Sequence, residues 1–274
     1  MSRFRTFRKC LFTAGLITVL GLAMLPSEAL ATHSFLGYHW ARTANPFTLK
    51  LVSRLTSEWT PYLEKASHDW AKSSVLNTKI IQGSAKPAAR KACKPVIGRV
   101  VVCNAAYGRA GWSGLVNFGM VPYSTHISWA RARANDSSFD VSLEFSFLKE
   151  RKQHLMCQEI GHTLGLDHQD EINNNPNTGS CMDYTNDLIG PPDSLSPNKH
   201  DYRQMKKIYK HFDDDTNLTK TSVSELPVWL ESIDFDQPNE WGRLIQSDND
   251  GRTEVYERDF GNGYKVFSVV ILAK

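Results

Sequence analysis

The run Gln158-Glu159-Ile160-Gly161-His162-Thr163-Leu164-Gly165-Leu166-Asp167-His168 concentrates side chains that can hold a metal and move a proton. On a helix, positions 158 and 162 stand one turn apart and point the same way, so a metal between them would meet both side chains. Glu159 sits one step round, within reach of a water on that metal, whose proton it can take as general base. His168 lies six residues past His162, about 240° round an ideal helix, and would face away if the helix ran on. Gly165 can supply a left-handed turn that ends the helix and swings His168 back. The chemistry of such a set is metal-assisted hydrolysis. Other chemistries lack anchors, since the chain has neither a Gly-x-Ser-x-Gly elbow nor a Gly-x-x-x-x-Gly-Lys loop.

The elements that must carry these residues are readable from periodicity. Residues 148–164 contain no proline and predict the helix bearing the run, with Gly161 its sole interruption. Upstream, Trp59, Leu63, Ala66 and Trp70 recur at three- and four-residue steps, predicting an amphipathic helix over residues 57–72. Strands are predicted at 49–51, 75–81, 98–103 and 125–132, the last with an alternation that leaves one face wet. Strand, helix, strand in this order suggests a sheet with crossover helices. Ser196-Pro197-Asn198 starts a further helix whose apolar stripe is Tyr202, Met205, Ile208 and Tyr209. Past Asp213-Asp214-Asp215 the sequence changes character. Residues 253–256 and 264–272 read as two strands around Phe260-Gly261-Asn262-Gly263, a small β appendage. Asp248-Asn249-Asp250-Gly251 reads as a polar turn, because a calcium loop would need a glutamate at its twelfth position. The histidines outside the run (His33, His39, His68, His126, His154, His200, His211) read as surface or structural.

Arg3, Arg5, Arg8 and Lys9 precede an apolar run from Leu11 to Leu25, and Ala29-Leu30-Ala31 offers a small-x-small cleavage site. This is the layout of a secretory signal peptide over residues 1–31, and export to the periplasm or medium is the expectation. The apolar run is too short to span a membrane comfortably. The chain of 274 residues carries 32 basic and 29 acidic side chains, a formal net charge of +3. Four of the basic residues and Glu28 leave with the signal, so the remainder is neutral. Neutrality argues against nucleic-acid or anionic-membrane binding. A hydrophobic content of 41% with seven Trp can build a core and excludes disorder. After Cys10 is removed, Cys93, Cys103, Cys157 and Cys181 remain, an even number suited to an oxidising compartment. Four cysteines admit three pairings, any of which leaves no cysteine nucleophile.

Ser180-Cys181-Met182-Asp183-Tyr184 makes the pattern specific. The chain resembles the metzincin metalloproteases, and among them the matrixin-like secreted bacterial peptidases. That pattern is H-E-x-x-H-x-x-G-x-x-H, followed by a tight turn carrying Met beneath the metal. Glu159, His162, Gly165 and His168 match it, with Met182 in the turn, and the likeness extends over roughly residues 35–211. The resemblance implies an α/β (α+β) catalytic domain over residues 32–211, with a twisted mixed sheet, an active-site helix and a C-terminal helix after the Met turn. Residues 212–274 form an extension of unknown role. It also implies Zn2+ held by His162 and His168, with Gln158 or a water completing the ligand set. Glu159 is then the general base, the substrate a protein or peptide, and the enzyme a monomer. Similar proteases pair substrate backbone with a sheet edge, implied here at 125–132. The fold would bring Cys157, beside the helix, to Cys181, beside Met182, which implies the pairs Cys157–Cys181 and Cys93–Cys103. One position departs from the pattern: Gln158 stands where the family has its first histidine, and an amide oxygen is a weaker zinc donor than imidazole. His154 is no substitute, since it lies eight residues from His162, about 12 Å along a regular helix. The missing imidazole defines a rival reading, a catalytically weak or inactive scaffold that binds extended peptides.

Overall fold

The computed structural model describes residues 33–140, 147–172, 175–216, 218, 226–248 and 251–273. The expected signal peptide lies outside these residues. The described residues form one compact unit.

Eight strands make one sheet: β1 (Phe47–Arg54), β2 (Leu76–Gln82), β3 (Arg99–Ala105), β4 (Trp112–Met120), β5 (Ile127–Asn135), β6 (Arg243–Ser247), β7 (Thr253–Asp259) and β8 (Lys265–Leu272). Their spatial order is β2-β1-β3-β5-β4-β8-β7-β6. β1 runs parallel to β2 and β3, and β3 to β5, while every pair from β5–β4 to β7–β6 is antiparallel. Helix α1 (Thr60–Trp70) makes the crossover between β1 and β2, as parallel pairing requires. The short helices α2 (Pro87–Ala92) and α3 (Ser137–Asp140) precede the long α4 (Leu148–Thr163), and α5 (Lys199–Ile208) follows the Met-bearing turn. The fold is thus mixed α/β. Among the described residues, no helix is long and apolar enough to cross a membrane.

The main core lies between the sheet and the pair α1–α4. Leu63, Ala66 and Trp70 of α1 pack with Leu155, Ile160, Leu164 and the Val100, Val102 and Val116 faces of the sheet. The helical stripe read at Trp59, Leu63, Ala66 and Trp70 is this buried face. At the start of α5, Asn198 accepts from the backbone N–H of His200 and Asp201, while Asp201 reaches back to the Asn198 N–H. The reciprocal cap gives a sharp helix start.

β5 was expected to keep one face wet, yet all nine of its residues are buried. Its polar side chains Arg131 and Arg133 lie under a layer supplied from residues 226–241. Arg131 sits over the Phe235 ring at 5.2 Å, and Arg133 donates to the Phe235 carbonyl and pairs with Asp236. Leu230, Phe235 and Trp241 join Trp112, Leu115 and Trp129 in a second core on this face. Nor is β5 a free edge for substrate, because β3 and β4 occupy its two sides.

The C-terminal strands, expected as an appendage, continue the main sheet: β8 pairs with β4 from Trp112↔Leu272 to Gly119↔Val266. β4 and β6 were not anticipated. The β4 sequence WSGLVNFGM carries two glycines and no regular alternation, so pairing on both edges, rather than local pattern, defines it.

Candidate active site

Helix α4 presents the run, and three side chains fix its C-terminal half. The Trp70 indole donates to the Cys157 carbonyl at 2.9 Å, the Trp40 indole to that of Thr163 at 2.8 Å, and the Tyr209 hydroxyl to that of Leu164 at 2.9 Å. Carbonyls of the last helical turn have no partner within the helix, so the Trp40 and Tyr209 bonds satisfy groups that would otherwise be buried bare. The helix then closes as a Schellman turn, with Leu166 N–H on the Gly161 carbonyl and Gly165 N–H on that of His162. Gly165 takes φ +89°, in the left-handed region, and a Cβ there would stand 2.1 Å from the Tyr38 carbonyl oxygen. Glycine is required twice over, by conformation and by contact.

This turn brings His168 back to His162, whose rings meet edge to face with centroids 4.6 Å apart. Both side chains are buried, and the Nε2 atom of each lacks a hydrogen-bond partner among the described residues. His162 Nδ1 lies 2.9 Å from the Leu166 carbonyl, to which only an N–H can donate, so in the neutral ring Nε2 carries the lone pair. Burial depresses the pKa of both imidazoles, that of His168 to about 3, and in His162 the neighbouring His168 adds to the effect. Two neutral, inward-facing nitrogens without partners are the donor chemistry zinc takes.

Glu159 is buried as well, with both carboxylate oxygens unpartnered among the described residues. It turns toward β4, where a Cβ on Gly114 would fall 1.9 Å from its Oε1. The carboxylate occupies the space that glycine leaves. Burial pushes its pKa well up, and the Arg133 charge works in the opposite direction. Gln158 lines a cavity of about 310 Å³ with His154, Leu155, Phe139, Tyr184 and the end of β8. His154 does not join the imidazole pair, because its Nδ1 bonds the Ser194 carbonyl at 2.7 Å.

Met182 lies beneath the helix. Its Sδ would stand 2.4 Å from a Cβ on Gly161, and Trp70 Cζ2 2.7 Å from it. The glycine interrupting the helical stripe is therefore the seat of the Met turn. Disulfides join Cys157 to Cys181 and Cys93 to Cys103, each with Cα atoms 5.9 Å apart. The first ties α4 to that turn.

Tyr184 had no role in the sequence reading beyond its place in the turn. Its ring packs on His168 with centroids 4.4 Å apart, and its hydroxyl is buried without a partner in hydrogen-bond geometry among the described residues. Burial, aided by the Asp248 carboxylate, raises its pKa far above the ordinary phenol. Its spacing two residues after Met182 was the available signal. Gly114 had none, because its contact with Glu159 spans 45 residues.

No protein-family model matches the chain, and no curated protein does. Solved structures give distant likenesses. Myroilysin is 10% identical at a TM-score of 0.34, over 65% of this chain and 98% of that one. High choriolytic enzyme 1, a hatching-enzyme zinc protease from the medaka Oryzias latipes, is 11% identical at 0.35, over 63% and 94%. Archaemetzincin from Archaeoglobus fulgidus, complexed with malonate, is 15% identical at 0.31, over 58% and 99%. Scores this low carry no argument about the site, which is judged on its own geometry.

Proposed function

We propose that this chain is a secreted, zinc-dependent endopeptidase of metzincin type that cleaves protein or peptide substrates as a monomer. The observation carrying the reading is the pair of buried, unpartnered nitrogens, His162 Nε2 and His168 Nε2, side by side on α4 and its closing turn. His162 and His168 would hold zinc, with the Gln158 amide oxygen or a water completing the set. Bound there, zinc supplies Lewis-acid polarisation of the scissile carbonyl and makes water more acidic. Glu159, its basicity raised by a dry environment, takes the proton of the attacking water at a carboxylate oxygen and hands it to the leaving amine. Tyr184, kept protonated by its raised pKa, retains a hydroxyl hydrogen to donate toward an oxyanion forming beside His168. The cavity beside Gln158 receives a substrate side chain. With β8 along β4, recognition rests on this cavity and not on strand addition at β4. Residues 1–31 serve as the export signal, 32–211 carry the catalysis, and 212–274 complete the sheet.

The test is Glu159→Ala. Casein digestion by the purified variant is expected to fall by orders of magnitude while zinc content stays at the parent level. Equal digestion by the two proteins would overturn the mechanism. A parent that holds no zinc at this pair would instead favour the peptide-binding scaffold.

A further inference from the structure

Four donor atoms from three segments far apart in sequence converge at a second place, away from α4. His126 Nε2 lies 3.2 Å from Asp213 Oδ1, His211 Nε2 3.3 Å, and His39 Nε2 3.4 Å. His211 Nε2 and His39 Nε2 stand 3.1 Å apart. The ligand atoms of His39, His126 and Asp213 all lie within 4.8 Å of one another. We propose that His39, His126, His211 and Asp213 form a second zinc site, structural in role and sharing no residue with the α4 pair.

The spacing is the first argument. Zinc bonds of about 2.0–2.1 Å to nitrogen or oxygen, set tetrahedrally, put donors about 3.3 Å apart. Four of the six donor separations, 3.1 to 3.4 Å, lie close to that edge. Three imidazoles and one carboxylate, without a thiolate, are a donor set zinc accepts.

The outer contacts are the second. His39 Nδ1 lies 2.7 Å from the Gly37 carbonyl, to which it donates, so the neutral ring turns its Nε2 lone pair to the cluster. Burial lowers the His39 pKa and favours that neutral form. The other oxygen of Asp213 accepts from the Arg42 guanidinium at 2.9 Å and the Arg42 N–H at 3.1 Å, leaving Oδ1 to the imidazoles.

Preorganisation is the third. His39 N–H bonds the Thr125 carbonyl at 3.1 Å, Ile127 N–H the His39 carbonyl at 2.7 Å, and Asp213 N–H the Arg42 carbonyl at 3.0 Å. These backbone bonds hold three segments of chain in register before any metal arrives. An ion there would cross-link the segment before β1, the start of β5 and the residues leaving α5. Without a metal, the same groups would form a hydrogen-bonded cluster around one carboxylate oxygen, and this is the alternative the experiment must separate.

The full secreted chain is prepared as a His162→Ala/His168→Ala variant, which removes the α4 pair. It is expected to retain one zinc equivalent after dialysis, and cobalt in its place should give the visible bands of a tetrahedral ion. Adding His126→Ala or Asp213→Asn should abolish both. His211→Ala, whose side chain is 55% exposed, offers a change that the fold tolerates. Zinc should raise the melting temperature of the His162→Ala/His168→Ala protein and not that of the same protein lacking His126. A zinc equivalent and cobalt spectrum that persist without His126 and Asp213, or a well-folded His162→Ala/His168→Ala protein that binds neither metal, would overturn the site. Failure at α4 reads differently: the parent then carries one zinc that ignores His162 and disappears with His126.

Discussion

Gly165→Ala separates two costs that coincide at the turn carrying His168. An L-residue at φ +89° pays about 1–2 kcal/mol for the left-handed conformation. The new Cβ would also meet the Tyr38 carbonyl oxygen at 2.1 Å. That atom is backbone, so the chain must shift, and overpacking of this kind costs about 1–3 kcal/mol. Gly37 is the control: its φ is +77°, yet a Cβ there finds nothing within 4 Å. Gly37→Ala should therefore lose about 1–2 kcal/mol, and Gly165→Ala about 2–5 kcal/mol. Urea denaturation of the metal-free proteins with a shared m-value measures the difference. A second readout links stability to the site, because a shift at Gly165 displaces His168 relative to His162. Gly165→Ala should surrender zinc to a competing chelator at lower concentration than the parent, while Gly37→Ala should match it. Equal midpoints for the two variants would refute the steric part of the reasoning, and unchanged zinc retention in Gly165→Ala its link to His168.

Gly114→Ala places a methyl group in the space of the Glu159 carboxylate. Peptidase activity should fall on the order of 100-fold with zinc content retained, and an active variant would show that Glu159 does not act from this position. Gln158→His supplies an imidazole one turn from His162 and should hold zinc against more chelator than the parent; if it binds zinc no better, Gln158 is not a ligand. Asp201 is fully buried and its pKa is raised from 3.8 to about 6. Its folded state therefore binds the proton more tightly, and the stability it contributes is present below pH 3.8 and lost as pH rises through about 6. Asp201→Asn should remove on the order of 3 kcal/mol of the stability change between pH 4 and 7, measured as urea midpoints at both values. A variant with the parent's pH slope would contradict the assignment.

Local rules carried the sequence reading a long way around α4. The positions of His162, Gly165 and His168 follow from helical repeat and from the one residue that turns left-handed without strain, and the structure closes the helix as that spacing requires. The apolar stripe of α1 and the Asn198 cap of α5 are equally local, each written within a dozen residues. The partners of β4 are not. Its pattern is ambiguous by itself, and β5, the next strand, and β8, distant along the chain, make it a strand by pairing on either side. The same holds for β5, whose alternation predicts a wet face until the segment carrying Phe235 and Asp236 covers Arg131 and Arg133. It holds most strongly for the side chains that meet in space. Gly114 makes room for Glu159, and His39, His126, His211 and Asp213 gather from segments up to 174 residues apart. Periodicity reports which face of an element is buried, because that depends on the residue's own turn or pleat. Which residue lies opposite is decided only when chain closure brings distant segments together.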